Sequence, residues 1–166
     1  MDEILDLVNE NDEVIGQVSR NVANSNPNIY HREIGIIVHD EHKKVLLQKR
    51  SMTKKVLPGY WIISVAGHIG KGMDPETVAH RELVEELGFD TKLEFAGKGL
   101  TVLPNEKNFT YCYYAKYENQ KITPQASEIS EYRFFSPEDV EKLIGSGEKF
   151  EQGSIDWVKS FWKEKH

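Results

Sequence analysis

Residues 67–89 read GHIGKGMDPETVAHRELVEELGF, and the fold is decided there. Glu82, Glu85 and Glu86 stand three and four residues apart, so a helix stacks their carboxylates along one edge. Like charges so placed repel each other. The cost is offset where a hard divalent cation is held, since Mg²⁺ takes carboxylate oxygens together with water and substrate phosphate. Asp74 reads as an N-cap, Pro75 as the first helical residue and Gly88 as the stop, which predicts a helix over about 75–87. Ala79, Leu83 and Leu87, with Val84 beside them, form its core side, and Arg81 lies four residues before Glu85, where it neutralises part of the cluster. RELVEE by itself is equally a solvated acidic helix. The loop before it points to a ligand instead: Gly67, Gly70 and Gly72 allow close backbone approach just ahead of a helix N-terminus, whose free N–H groups favour anions.

The whole chain is consistent with one domain over residues 1–166, with 39% hydrophobic and 29% charged residues. A formal net charge of −6 argues against a nucleic-acid partner. No apolar run is long enough for a membrane span, and Met1-Asp2-Glu3 does not open a signal peptide. The single Cys112 excludes an intramolecular disulfide and a multi-cysteine metal site, so a reducing, cytoplasmic setting is expected.

Either side of this stretch the pattern is mainly β. Ile4–Val8 and Val14–Val18 flank an Asn/Asp-rich turn and predict a hairpin, followed by a polar loop over Asn21–Asn28. Ile34–Val38 and Val45–Leu47 predict a second hairpin, its first strand apolar enough to be buried on both faces. Lys49, Arg50, Lys54 and Lys55 make a basic patch suited to phosphates, and Trp61–Val65 predicts a strand leading into Gly67. Further strands are expected at Leu93–Phe95, Gly99–Leu103, Phe109–Tyr117 and Tyr132–Phe135, with a turn at Pro104–Asn108. Ser136-Pro-Glu-Asp starts a helix to about Ile144, and a last helix spans about 154–163, packed through Ile155, Val158, Phe161 and Trp162.

The central stretch resembles the signature box of the Nudix hydrolases, G-x5-E-x7-R-E-U-x-E-E-x-G-U with U apolar. Gly67, Arg81, Glu82, Leu83, Glu85, Glu86, Gly88 and Phe89 fall where the pattern asks; Met73 stands at its first glutamate, with Asp74 one residue out of register. The resemblance implies an α/β fold, an α/β/α sandwich of mixed sheet carrying a loop-helix-loop catalytic box. It also implies hydrolysis of a diphosphate linkage in a nucleoside diphosphate derivative or related small molecule, with Mg²⁺ or Mn²⁺ held by Glu82, Glu85 and Glu86. In the family the glutamate missing at Met73 pairs with the box arginine, so reduced activity is expected here.

Over most of its length the chain is similar to the branch containing type 1 isopentenyl diphosphate isomerase and its hydrolase-like relatives, through LVNENDEVIG, Tyr30-His31-Arg32, LLQKRS, LPGYW, AGH and EISEYRFFSPEDV. The isomerase has a cysteine where Ala66 stands, Asn24 replaces an expected histidine, and NFTYCYY has no acid, so a hydrolase is implied, with His31 and His68 as structural hydrogen-bonding residues. An isomerase-like enzyme and a non-catalytic nucleotide-binding domain are the alternatives. The expected site comprises Glu82, Glu85, Glu86 and Arg81, with Gly67 and phosphate contacts from Arg50, then Arg20 and Arg32. Glu128 and Glu131 are candidates for an acid recruited from outside the box. The expected partner is a small diphosphate, bound by a monomer or homodimer.

Overall fold

The computed structural model describes residues 1–165. At its centre lies β3 (Tyr30–His39), buried from Ile34 to Val38, which pairs in parallel with β8 (Lys107–Lys116) along its full length. On its other side β3 is antiparallel to β6 (Val65–His68), pairing Glu33 with His68 and Ile36 with Val65. The sheet continues from β8 to β7 (Leu93–Val102), while β4 (Val45–Arg50) pairs with β5 (Trp61–Ile62) and β9 (Ile129–Phe135). The hairpin of β1 (Ile4–Val8) and β2 (Val14–Ser19) joins β3 through Val8 and Tyr30.

Side chains alternate across a strand, so β3 feeds two cores. Ile34, Ile36 and Val38 pack with Val78, Ala79, Leu83 and Leu87 of α2 (Pro75–Leu87). Ile37 on the opposite face packs with Val140 and Leu143 of α3 (Pro137–Gly145) and with Ile155, Val158, Phe161 and Trp162 of α4 (Gln152–Glu164). The result is the expected α/β/α arrangement around a mixed sheet.

The box helix has the expected ends: Asp74 accepts from Thr77 N at 3.0 Å, Pro75 opens α2, and Gly88 closes it at φ 79°. Its buried side differs from expectation. Val84 is 49% exposed, and Glu86 is buried at 5%. At about 100° per residue, Glu86 lies about 60° from Leu83 around the helix and Val84 about 100° the other way, so the sheet covers the acid.

Four other expectations need correction. Asn21–Asn28 is not all loop, because Ser19 caps the short α1 (Arg20–Ala23). The second hairpin reduces to one pair, His39 with Val45, because β8 and β6 occupy the edges of β3. Trp61–Val65 breaks in two at Ser64, whose Oγ accepts from Val38 N and donates to Leu46 O. Leu93–Phe95 and Gly99–Leu103 merge into β7, which absorbs a register shift at Gly97 with φ 139°.

Candidate active site

One cavity of about 700 Å³ opens between the box helix and the sheet, lined by Glu82, Glu85 and Glu86 with Arg20, Arg50, Lys54, Gly67, His68 and Glu128. The sequence pattern therefore converges on one place. Gly67 has no side chain for a steric reason: a Cβ there would lie 2.8 Å from Glu82 Cδ. Glu82 rests on that bare backbone, and burial, reinforced by Glu85, pushes its pKa up. Glu86 is deeper, with Gln48 Nε2 donating to its Oε1 at 2.9 Å. Burial pushes Glu86 up to about 8 even so.

Arg81 spans the outer edge of the cluster. Its Nη2 is 3.3 Å from Glu82 Oε1 and its Nε 3.8 Å from Glu85, while Nη1 lies 3.5 Å from the thioether of Met73. Asp74 cannot replace the absent box glutamate, since its carboxylate caps α2.

The basic residues sort into two groups. Arg50 lines the cavity, steadied by its Nε donating to Val56 O at 2.9 Å. Arg20 also lines it, 3.7 Å from Glu3, and Lys54 donates to Glu128 at 2.6 Å. Arg32 does not line it. Its Nε donates to Asp12 Oδ1 at 2.6 Å and its Nη2 to Asp12 O at 2.7 Å, so it ties the N-terminal hairpin to β3. Glu131 is likewise displaced: it pairs across from Lys49 on β9 and is exposed, leaving Glu128 as the nearer of the two acids.

A second donor group borders the same cavity. His31, Glu33, His68 and Glu106 each place one ligand atom within 4.8 Å of the others. The two imidazoles stack at 5.4 Å, with His31 Nε2 3.5 Å from Glu33 and 3.8 Å from Glu106. His68 makes the hydrogen bond expected of it, to Asn24 Oδ1 at 2.8 Å. His31 differs: it is wholly buried, and neither ring nitrogen finds a hydrogen-bond partner among the described residues, nor does Glu106 Oε2. Unpaired buried polar atoms are costly, and a cation between them would satisfy Glu106 Oε2 and the one ring nitrogen of His31 that faces it, Nε2. Burial lowers His68 to about 4, the neutral form that ligates metals, and together with Glu33 raises Glu106 to about 7.

Glu33 and Glu106 were missed for a local reason. Glu106 falls in the PNEKN segment read as a turn, and no periodicity marks it. For Glu106 the signal is tertiary, in the parallel register that sets Tyr30 against Lys107 and His31 against Asn108, whereas Glu33 stands two residues from His31 on the same face of β3.

Comparison with known proteins bears on this site. Residues 29–158 match the family model described as NUDIX domain. The chain is 32% identical to a protein named isopentenyl-diphosphate Delta-isomerase 2 from Photorhabdus laumondii, with 88% of this chain and 84% of the relative covered. It is also 32% identical to a protein named as a Nudix hydrolase from Listeria monocytogenes, covering 86% and 85%. Among solved structures, DR0079 from Deinococcus radiodurans superposes with a TM-score of 0.80 at 24% identity over 95% of this chain and 98% of that one. The NUDIX domain of Shewanella oneidensis NrtR, solved with ADP ribose, superposes with a TM-score of 0.66 at 17% identity, covering 81% and 87%. Among the described residues, no helix is long and apolar enough to cross a membrane.

Proposed function

From the membership of this chain in the Nudix family, as an enzyme that hydrolyses pyrophosphate-type linkages, we propose a divalent-metal-dependent hydrolase whose substrate is a nucleoside diphosphate derivative or a related small diphosphate. The observation that carries this proposal is the convergence of Glu82, Glu85 and Glu86 with Arg20, Arg50 and Lys54 on one cavity. Acids alone would repel a diphosphate, and cations alone would bind it without activating water.

The donor set fits a hard cation. Glu86 is a carboxylate buried to 5% whose one side-chain donor is the neutral Gln48, and Glu82 and Glu85 stand one turn and one residue from it. Glu82, Glu85 and Glu86 would hold Mg²⁺ or Mn²⁺, which when bound supplies charge against the diphosphate oxygens and acidifies the attacking water. The chain's own groups do the rest. Arg50 binds the diphosphate, Gly67 leaves the room in which Glu82 sits against the backbone, and Arg81 offsets part of the charge of Glu82 and Glu85. Glu128 or one of the box glutamates orients the attacking water and takes its proton. The histidine-carboxylate group offers a second donor set on the same wall, of mixed nitrogen and oxygen character, suited to a first-row divalent ion rather than to Mg²⁺.

Isomerisation of a prenyl diphosphate is disfavoured by Ala66, which lines the cavity without a proton to give. A reducing, cytoplasmic setting accords with the free, buried Cys112.

The test is release of phosphate and nucleotide from a panel of nucleoside di- and triphosphates, dinucleotide polyphosphates, nucleotide sugars and isopentenyl diphosphate, with Mg²⁺ or Mn²⁺ and with chelator. Release that requires the metal and disappears in Glu85→Gln and Glu86→Gln is expected. Nucleotide binding with no turnover on any substrate would instead mean a binding domain, and proton exchange into isopentenyl diphosphate an isomerase.

A further inference from the structure

A buried glutamine reaches from the sheet to one of the three box carboxylates. Gln48 lies on β4 at 1% exposure, and its Nε2 donates to Ser64 O at 3.0 Å and to Glu86 Oε1 at 2.9 Å. An amide nitrogen has two hydrogens, so both are engaged. Flipping the amide would set its carbonyl oxygen against the carbonyl of Ser64, which can only accept, and this fixes the orientation of the group. Ser64 is itself anchored, its Oγ accepting from Val38 N at 2.8 Å and donating to Leu46 O at 2.5 Å. The backbone behind Glu86 is held as well, by Gln125 N donating to Glu86 O at 2.9 Å.

On the hydrolase reading above, we infer that Gln48 is a positioning residue for the metal site: it holds Glu86 Oε1 and leaves Oε2 as the oxygen offered to the ion. The chemistry of the amide suits that task. Lysine or arginine in its place would discharge Glu86 and compete with the cation, and an apolar residue would leave the carboxylate free to turn. A neutral double donor tied to a fixed carbonyl orients the carboxylate without discharging it. Groups behind a metal ligand commonly contribute about 10- to 100-fold in metal affinity or activity.

The test is a double-mutant cycle on Gln48→Met, similar in length without the donor, and Glu86→Gln, read by calorimetric titration with Mn²⁺ and by steady-state kinetics at saturating metal. Gln48→Met alone should weaken Mn²⁺ binding about tenfold and lower kcat about tenfold with KM for the diphosphate unchanged. In the Glu86→Gln background the same change should do nothing further to Mn²⁺ affinity. Gln48→Asn, which keeps an amide but falls one methylene short, serves if the methionine variant does not fold, and should show the same direction and the same coupling. Equal losses with and without Glu86, or no loss of metal affinity in either variant, would overturn the assignment. Absence of turnover in the wild-type protein would count against the hydrolase, while the Mn²⁺ cycle would still decide the role of Gln48.

Discussion

Arg81 Nη1 lies 3.5 Å from Met73 Sδ, so the box arginine turns one of its donors toward a thioether. Sulfur of this kind is a weak acceptor, and the remaining donors lean on Glu82 and Glu85, the very groups a cation must use. Met73→Glu supplies a charged partner on the loop and releases the two ligands. At subsaturating Mg²⁺, kcat/KM should rise about tenfold, equivalent to about 1.4 kcal/mol. Unchanged metal affinity and turnover would show that the loop residue does not govern the site.

What the sequence disclosed depended on how local each signal was. The box helix was legible to its end residues because Asp74, Pro75 and Gly88 act within a turn of where they stand. Strand pairing was less so, since a periodic apolar run such as Ile34–Val38 does not say whether Val45–Leu47 or Phe109–Tyr117 lies beside it. The same gap hid part of the site. Glu106 meets His31 only through the parallel β3 and β8 pairing, although Glu33 shares a face of β3 with His31, and Arg32 left the cavity for Asp12, a hairpin residue twenty positions earlier.

That partition of arginines gives opposite expectations for two similar substitutions. Arg50→Ala should raise KM for the diphosphate about tenfold or more and leave melting nearly unchanged, as loss of a phosphate contact does. Arg32→Ala should leave KM alone. It removes one hydrogen bond to the buried Asp12 carboxylate and one to the Asp12 backbone carbonyl, costing about 2 kcal/mol, or about 6 °C in a chain of this size. Paired kinetics and thermal melts decide both, and a KM effect confined to Arg32→Ala would reverse the assignment.

Glu86 also sets a pH dependence. Its carboxyl is pushed up to about 8 in the folded protein, against about 4.3 in an unfolded chain. Between those values the folded form keeps a proton that the unfolded form has lost. Stability from this group is therefore fully present below about pH 4 and is lost as pH rises toward 8, by at most about 1.4 kcal/mol per pH unit. In chelator, the melting temperature of wild type relative to Glu86→Gln should fall from pH 5 to pH 8, and Mn²⁺ should restore it at the alkaline end. A difference that stays flat over that range would mean Glu86 ionises normally.

The histidine-carboxylate group makes a separate demand on the same ion. If His31, Glu33, His68 and Glu106 hold a cation, Mn²⁺ titration should resolve two classes of binding, one lost in Glu86→Gln and the other in His68→Gln or Glu106→Gln. Because ligation needs neutral imidazole and ionised carboxylate, the second class should strengthen as pH passes about 7, where Glu106 loses its proton. His68, lowered to about 4, is neutral throughout that range and adds no opposing step. A single class of sites insensitive to His68→Gln and Glu106→Gln would leave His31 as an unsatisfied core histidine, and its burial would then be a cost borne by the fold without return in metal binding.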